Sequence, residues 1–152
     1  MSRIAIFPGS FDPFTIGHKA IVDSALPLFD KIFIAIGENS NKNDFISLES
    51  RLKHISGLYV GSSVVSVVSY SGLTIEFCKK NNVSFILRGL RNTSDFQYEK
   101  SIAQVNKELY PGVETVFIIP PPQLGHISST IVRDIIKHKG DISRFVPGTL
   151  DI

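Results

Sequence analysis

The segment from Gly9 to His18 has the residue types and the spacing that phosphate binding requires. Gly9 lets the backbone approach a ligand closely, and Ser10 offers a hydroxyl and an amide. Thr15 is a typical N-cap residue, so a helix that begins there carries His18 in its first turn. Free amides and the positive end of the helix dipole favour an anion at that place. A lone histidine is more often structural, but its position after a Gly-Ser loop favours a role at phosphates.

Cationic side chains farther along the chain are candidates for the same phosphates: Lys42, Arg88, Arg91 and Arg133. Together they could converge on one small, highly charged ligand. The alternatives are a solvated loop lysine for Lys42 and surface ion pairs for Arg88 and Arg91. The formal net charge is only +2, far from the basic balance of a protein that holds a polymer of phosphates, so we expect no nucleic-acid partner.

The sequence lacks the residue sets of several common catalytic centres. Neither GxxxxGKS/T nor GxGxxG occurs, which removes support for a P-loop hydrolase and for dinucleotide binding. There is no HExxH and no convincing Ser/His/Asp set, and the one cysteine, Cys78, is expected in the core. Asp95 and Glu99 lie four residues apart, but we interpret them as a helix-starting acid and a ligand contact, so no protein metal site is expected.

Length and composition predict one domain over residues 1–152. A chain of 152 residues with 43% hydrophobic residues has enough apolar material for a single core. Its apolar stretches are far shorter than the roughly 20 residues of a membrane helix, so we expect no membrane partner. The N-terminus lacks the features of a secretory signal, and a cytoplasmic location is the resulting expectation.

Hydrophobic periodicity divides the chain into alternating strands and helices. Runs rich in Ile, Val and Phe predict five buried strands over Arg3–Pro8, Lys31–Gly37, Val64–Ser69, Ser84–Arg88 and Glu114–Pro120. Apolar residues three or four apart predict helices over His18–Phe29, Leu48–Tyr59, Leu73–Asn81, Thr93–Leu109 and near Ser129–His138. This alternation indicates an α/β fold with a doubly wound, five-stranded parallel sheet.

Ligands of such sheets bind outside the carboxyl ends of the strands, near the point where the strand order reverses. The segments that follow the five predicted strands are Gly9–Pro13, Glu38–Lys42, Tyr70–Gly72, Gly89–Arg91 and Pro121–Ser129. They contain most of the candidate phosphate-binding groups. The sheet topology therefore predicts that these groups meet at one edge.

Thr15-Ile16-Gly17-His18 resembles the (T/H)xGH signature of the nucleotidyltransferase superfamily, which has a Rossmann-like fold. Three further features extend the resemblance over nearly the whole chain: Lys42, Ile86-Leu87-Arg88-Gly89-Leu90-Arg91 with Asp95-Phe96-Gln97-Tyr98-Glu99, and Ile127-Ser128-Ser129-Thr130. With them the sequence resembles the bacterial-type phosphopantetheine adenylyltransferase family. This resemblance implies adenylyl transfer from ATP to 4'-phosphopantetheine, which gives dephospho-coenzyme A and pyrophosphate in the penultimate step of coenzyme A synthesis.

The resemblance also implies roles for individual residues. His18 would stabilise the transition state at the α-phosphoryl group, and Lys42 and Arg88 would hold the acceptor phosphate, which Ser10 would also touch. Thr74 would line the pantetheine pocket. The implied ATP contacts are Ser10, Phe11, His18, Gly89, Leu90, Arg91, Glu99, Leu124, Gly125, His126, Ile127, Ser128, Ser129 and Thr130. For Ser128, Ser129 and Thr130, helix capping is an alternative that is compatible with phosphate binding.

Magnesium is expected to arrive on the triphosphate, because it binds phosphate oxygens and waters with few protein ligands. The resemblance further implies a homohexamer and feedback binding of coenzyme A. Three residues depart from the family pattern: Ser10 stands where Thr is commoner, Thr74 where an aliphatic residue is usual, and Gln97 where an acid is usual.

Two alternative functions remain open at this point. One is a superfamily relative that uses another acceptor, such as glycerol phosphate or nicotinamide mononucleotide. The other is a flavodoxin-like or receiver-like regulatory module, because those folds share the same alternation of strands and helices.

Overall fold

The computed structural model of the chain describes residues 1–41 and 43–152. Strands β1 to β5 span Ile4–Gly9, Lys31–Glu38, Val65–Ser71, Phe85–Gly89 and Glu114–Ile118. Helices α1 to α5 span Ile16–Ala25, Leu48–Leu58, Thr74–Asn81, Thr93–Leu109 and Ser129–Lys137. Short 3₁₀ helices at Leu26–Leu28 and Pro122–Leu124 follow α1 and β5. Strands and helices therefore alternate as the sequence predicts.

The five strands form one parallel sheet in the order β3-β2-β1-β4-β5. The chain order reverses between β1 and β4, so the carboxyl ends of these two strands, at Gly9 and Gly89, flank the crevice where ligands of such sheets bind. The predicted doubly wound α/β fold is confirmed. A flavodoxin-like or receiver-like module has the strand order 2-1-3-4-5, so that alternative is wrong.

Alternate side chains of β1 enter two hydrophobic cores, one on each face of the sheet. Ala5 and Phe7 pack in the core that contains Val22 of α1. Ile6 packs in the other core with Cys78 of α3, which is buried as predicted. Because side chains pack on both faces of β1, the position at which the following loop begins is fixed by the core.

The first helix differs most from the sequence prediction. It ends at Ala25 and not at Phe29, and a 3₁₀ helix that contains Pro27 follows it. Proline has no amide hydrogen and its ring crowds the preceding turn, so the α-helix cannot continue through it. At the other end, Thr15 is the N-cap and His18 lies in the first turn, as predicted.

The ends of the other elements lie within two residues of their predicted positions. β3 runs on to Ser71, because it keeps pairing with β2 as far as Glu38. β5 stops at Ile118, two residues short of Pro120. In the part of the chain that the structure describes, no helix has the length and apolar character to span a membrane.

Candidate active site

The first turn of α1 holds His18 through a reciprocal pair of hydrogen bonds. The Thr15 hydroxyl accepts the His18 amide at 3.3 Å, and His18 Nδ1 accepts the Thr15 amide at 2.9 Å. Because Nδ1 is an acceptor, the neutral ring carries its proton on Nε2. The helix cap therefore fixes the tautomer of His18 and keeps Nε2–H as the donor that the cap does not use.

Three phenylalanine rings surround the His18 ring at centroid distances of 5.1–6.2 Å: Phe7, Phe11 and Phe14. Burial, followed by the positive charges of Arg91 and Arg88, lowers the pKa of His18 from 6.5 to about 4. His18 is therefore neutral at pH 7. In that state it can donate a hydrogen bond to an anion without exchanging a proton with it.

The loop after β1 turns sharply at Phe11, whose φ is 46°. Its ring folds back over the start of the loop, so that a Cβ at Gly9 would lie 2.9 Å from it. Glycine is therefore required at position 9 for this close approach. Arg133 of α5 steadies the loop by donating from Nη1 to the Asp12 carbonyl at 2.8 Å.

Arg88, at the carboxyl end of β4, is held on both sides of its guanidinium. Nε and Nη2 donate to the two carboxylate oxygens of Glu99 at 2.9 and 2.7 Å, and Nη1 donates to the Pro8 carbonyl at 2.9 Å. Glu99 is buried in α4, and this bidentate pair fixes the plane of the guanidinium. Three of the five N–H donors are thereby used, and two remain for a ligand.

Arg91 connects two of the loops at the same edge of the sheet. Its Nε lies 3.3 Å from Asp95 Oδ2, and its Nη1 donates to the Ile127 carbonyl at 3.3 Å. Asp95 stands in the first turn of α4, as predicted for a helix-starting acid. The ion pair suggested by the sequence is present, and Arg91 also lines the cavity described below.

The N-terminus of α5 contributes a second helix end to the site. Ser128 is its N-cap and accepts the Ile131 amide at 3.3 Å, while Ser129 Oγ donates to the Pro13 carbonyl at 2.8 Å. The amides of Ser129 and Thr130 stand in the first turn, where a helix supplies no acceptor of its own. Both serine hydroxyls therefore have structural partners, and these contacts leave those two first-turn amides free for the phosphate binding that the sequence predicts.

Two adjoining cavities lie at this edge of the sheet. The first, of about 340 Å³, is lined by residues from β1, α1, β4, α4 and the loop before α5, among them Ser10, Phe11, His18, Gly89, Arg91, Leu124, Ile127, Ser128, Ser129 and Thr130. The second, of about 210 Å³, is lined by Tyr70, Thr74, Tyr98, Ile102 and Asn106 with other residues. Both cavities are lined by Pro8, Gly9, Arg88 and Glu99. The Arg88–Glu99 pair therefore stands where the two cavities meet.

Most of the predicted site residues that the structure describes line these cavities, but three do not. Leu90, Gly125 and His126 lie in the same loops and outside the lining of both cavities. Lys42 lies outside the described residues. The ATP contacts predicted for the first three, and the phosphate contact predicted for Lys42, stay predictions.

The stretch from Leu124 to Thr130 offers fewer backbone donors than predicted. The amides of Leu124, Gly125 and Ile127 donate to carbonyls of their own turn. Within the part of the chain that the structure describes, the amides of this stretch that keep no backbone partner are those of His126 and of Ser128, Ser129 and Thr130 at the start of α5. The 3₁₀ turn that begins at Pro122 uses the amides of Leu124 and Gly125, and the Ile127 amide bonds back to Leu124 in the next turn. The sequence gives no sign of these turns beyond Pro122.

Sequence reasoning missed most of the second cavity. Tyr70 is the last aromatic residue before the loop that follows β3, and its hydroxyl is bonded to Thr74 Oγ1 at 2.8 Å. Tyr98 and Ile102 stand on α4 one turn apart, and an apolar face on a helix next to a ligand edge could have indicated them. The predicted hydroxyl of Thr74 is present in this cavity, and it is paired with Tyr70.

The arrangement of the site agrees with the comparison against known families. Residues 6–135 match the family model described as cytidylyltransferase-like, so the chain belongs to that class of nucleotidyltransferases. Among solved structures, the fold is similar to a bifunctional NMN adenylyltransferase/ADP ribose pyrophosphatase from Francisella tularensis. That match has a TM-score of 0.72 and 18% identity and covers 96% of this chain and 45% of the other.

Curated relatives narrow the class further. The phosphopantetheine adenylyltransferase of Cytophaga hutchinsonii is 52% identical over 147 residues, which cover 97% of this chain and 98% of the relative. The phosphopantetheine adenylyltransferase of Bacteroides thetaiotaomicron is 45% identical over 150 residues, 99% of each chain. The chain is a member of the phosphopantetheine adenylyltransferase family, and it is an enzyme of the nucleotidyltransferase type.

Proposed function

We propose that the chain transfers adenylyl from ATP to 4'-phosphopantetheine, which gives dephospho-coenzyme A and pyrophosphate in the penultimate step of coenzyme A synthesis. The observation that carries the proposal is the pair of adjoining cavities that meet at Arg88 and Glu99. The first has two helix N-termini and two arginines for a triphosphate. The second places Tyr70 and Thr74 beside aliphatic Ile102, which suits an arm that contains amides and methylenes.

Direct in-line attack fits these residues without a covalent enzyme intermediate. A phosphate oxygen of the acceptor attacks the α-phosphorus of ATP, the bond from that phosphorus to the β-bridging oxygen breaks, and pyrophosphate leaves. A phosphate monoester is largely ionised at neutral pH, so no base is needed to activate it. The protein's task is to align two anions and offset their repulsion, which is a positioning effect worth about 7–11 kcal/mol in favourable cases.

His18 acts on the charge that develops during this attack. Its neutral ring keeps Nε2–H as a donor, and its Nδ1 is tied to the Thr15 amide. Negative charge grows on the equatorial oxygens of the α-phosphoryl group, so a fixed donor there binds the transition state more tightly than the ground state. His18 thus stabilises charge and transfers no proton.

Magnesium, in this proposal, comes with the triphosphate. The acids that line the first cavity, Asp95 and Glu99, are already paired with arginines. Among residues 1–41 and 43–152, no three His, Cys, Asp or Glu side chains are grouped to hold a metal ion. This donor set suits a cation that keeps phosphate and water ligands, and such a cation would neutralise charge on ATP.

A homohexamer is the assembly we propose. It is supported by an exposed apolar face on α4, formed by Tyr98, Ile102, Val105 and Leu109, beside Leu73. A face of this kind on one helix is typical of a surface that a second copy covers. Light scattering after gel filtration is expected to give six times the 16.8 kDa chain mass, and Val105→Glu is expected to lower it. A monomer at micromolar concentration would contradict this assembly.

We also propose that the enzyme works in the cytoplasm and binds coenzyme A as a feedback ligand. Coenzyme A carries the same pantetheine arm as the acceptor, so it is expected to compete with 4'-phosphopantetheine. Inhibition that increasing acceptor cannot relieve would contradict competition at this site.

The activity is tested by incubating the protein with ATP, Mg²⁺ and 4'-phosphopantetheine and measuring pyrophosphate. We expect pyrophosphate and dephospho-coenzyme A in equal amounts. Glycerol phosphate and nicotinamide mononucleotide serve as matched acceptors under the same conditions. Pyrophosphate release with either of them, and none with 4'-phosphopantetheine, would refute the proposal and favour a different acceptor.

A further inference from the structure

Arg51 is a buried cation on α2. Its side chain is 2% exposed, and it lies on the same side of the helix as Ile55, which is fully buried in one of the two cores. Removing a guanidinium from water is costly unless every donor finds a partner. The hydrogen-bond partners of Arg51 therefore indicate the structural role of its guanidinium.

The guanidinium of Arg51 joins two different loops. Nη1 donates to the Ser10 carbonyl at 2.7 Å, in the loop after β1 that lines the first cavity. Nε donates to the Ile46 carbonyl at 2.9 Å, and Nη2 lies 2.5 Å from Asp44 Oδ2, both in the loop between β2 and α2. One rigid planar group thus sets the separation of the two segments.

Asp12, in the loop after β1, connects the same two loops as an acceptor. Its carboxylate, which is buried, accepts the amide of Phe45 on Oδ2 and the amide of Ile46 on Oδ1, both at 2.8 Å. The segment 44–46 therefore donates directly to Asp12, and Arg51 on α2 bridges the two segments by donating to a carbonyl of each. Two aliphatic residues in place of Arg51 and Asp12 would fill this space and stabilise the fold, but they would not fix the position of one loop relative to the other.

We infer that Arg51 and Asp12 are positioning residues that lock the ATP-side loop at Ser10 to the loop after β2. This inference rests on the proposed function and on the contacts that the family resemblance implies, in which Ser10 touches both substrates and Lys42, two residues before Asp44 in the sequence, holds the acceptor phosphate. In-line attack needs the two phosphates to stay aligned, and a misplacement of about 1 Å costs about a hundredfold in rate. Arg51 supplies this alignment through the backbone and touches neither substrate.

The test compares Arg51→Met and Arg51→Lys with Ile55→Ala, a core variant on the same helix that removes packing and leaves the loops bonded. Assays are run well below the lowest Tm of the three variants. Arg51→Met is expected to lower kcat by about a hundredfold with less than about a threefold change in the Kd for ATP. Arg51→Lys is expected to recover part of kcat, because an ammonium keeps the charge and reaches fewer carbonyls.

A second measurement does not depend on catalysis. Amide hydrogen exchange at Phe45 and Ile46 is expected to accelerate in Arg51→Met and in Asp12→Asn, and to change little in Ile55→Ala. Should Arg51→Met fail to fold, Asp44→Asn replaces it, since that carboxylate is partly exposed and its loss breaks only the ion pair.

Two results would overturn the inference. One is an Arg51→Met enzyme whose kcat matches that of Ile55→Ala at equal loss of Tm. The other is an unchanged rate of amide hydrogen exchange at Phe45 and Ile46 in both Arg51→Met and Asp12→Asn. If the unmodified enzyme is inactive toward 4'-phosphopantetheine, the proposed function fails, and accelerated exchange in the variants still supports the locking of the loops.

Discussion

Replacing His18 separates its role in the helix cap from its role in the reaction. In His18→Asn the side-chain oxygen can take the place of Nδ1 and accept the Thr15 amide, so the cap is kept. The donor at the position of Nε2 is lost. In His18→Ala the acceptor for the Thr15 amide and the Nε2–H donor are both lost. Because the Nδ1 atom is already used by Thr15, the ring can give the reaction only one hydrogen bond.

One preorganised donor to a developing anion is worth about 2.7–4 kcal/mol, so His18→Asn is expected to lower kcat by about 10²–10³. The Kd for ATP is expected to change less than about threefold, because the neutral ring gains most of its interaction energy as charge develops. His18→Ala is expected to have the same kcat defect and, in addition, to lose about 1 kcal/mol of stability with the cap.

The assay is pyrophosphate release at saturating 4'-phosphopantetheine, with ATP affinity measured separately by calorimetry. His138→Ala is the matched control, because His138 is an exposed histidine at the C-cap of α5 whose Nδ1 faces the Asp134 carbonyl. Equal losses in kcat and in ATP affinity for His18→Asn would refute the assigned role. So would a kcat titration between pH 6 and 8 that is present in the unmodified enzyme and absent from His18→Asn, since the pKa of His18 is about 4 and the acceptor phosphate, which ionises at about pH 6, is common to both.

Three further predictions follow from single contacts. Arg88→Lys loses the bidentate pair with Glu99 and is expected to raise the KM for the acceptor about tenfold in steady-state kinetics. An unchanged KM would contradict the role of this pair. Thr74→Val breaks the 2.8 Å hydrogen bond to Tyr70 and is expected to raise the acceptor KM about threefold with no change for ATP, so an effect on the ATP constant would count against it. Since the folded pKa of His18 lies near 4 and the reference value is 6.5, the unfolded chain binds the proton first on acidification. The contribution of His18 to the free energy of unfolding is complete above about pH 6.5 and falls by at most about 3 kcal/mol as the pH is lowered to 4. Denaturant unfolding at several pH values should show this decrease, and His18→Asn should reduce it.

The sequence allowed the sheet and the first helix cap to be predicted because both depend on local patterns. Alternating apolar runs and amphipathic segments specify parallel strands with crossover helices, and Thr15 followed by His18 specifies where α1 begins. The early end of α1 depended on the constraint at Pro27, which the helical periodicity around it concealed.

The connections that complete the site depend on long-range contacts, which periodicity does not encode. The predicted contact of Glu99 with ATP stays a prediction, but its bidentate pair with Arg88 of β4 was not foreseen. Arg51 and Asp12 were not identified as connecting residues, since the bonds that join the two loops link Asp12 to residues 33 and 34 positions away and Arg51 to Ser10, 41 positions away. A charged residue on the otherwise apolar stripe of α2, three residues after Leu48 and four before Ile55, is the signal that could have revealed Arg51.

The shared position of Arg88 has a consequence for how the two substrates affect each other. Arg88 lines both cavities, so under the proposed function an anion that binds in one would reduce the attraction that this guanidinium offers to an anion in the other. Thermodynamic linkage makes such an effect reciprocal: ATP weakens acceptor binding by the same factor by which the acceptor weakens ATP binding. Under the proposed function, the two substrates would therefore bind more weakly together than apart, and saturation with one would raise the Kd of the other.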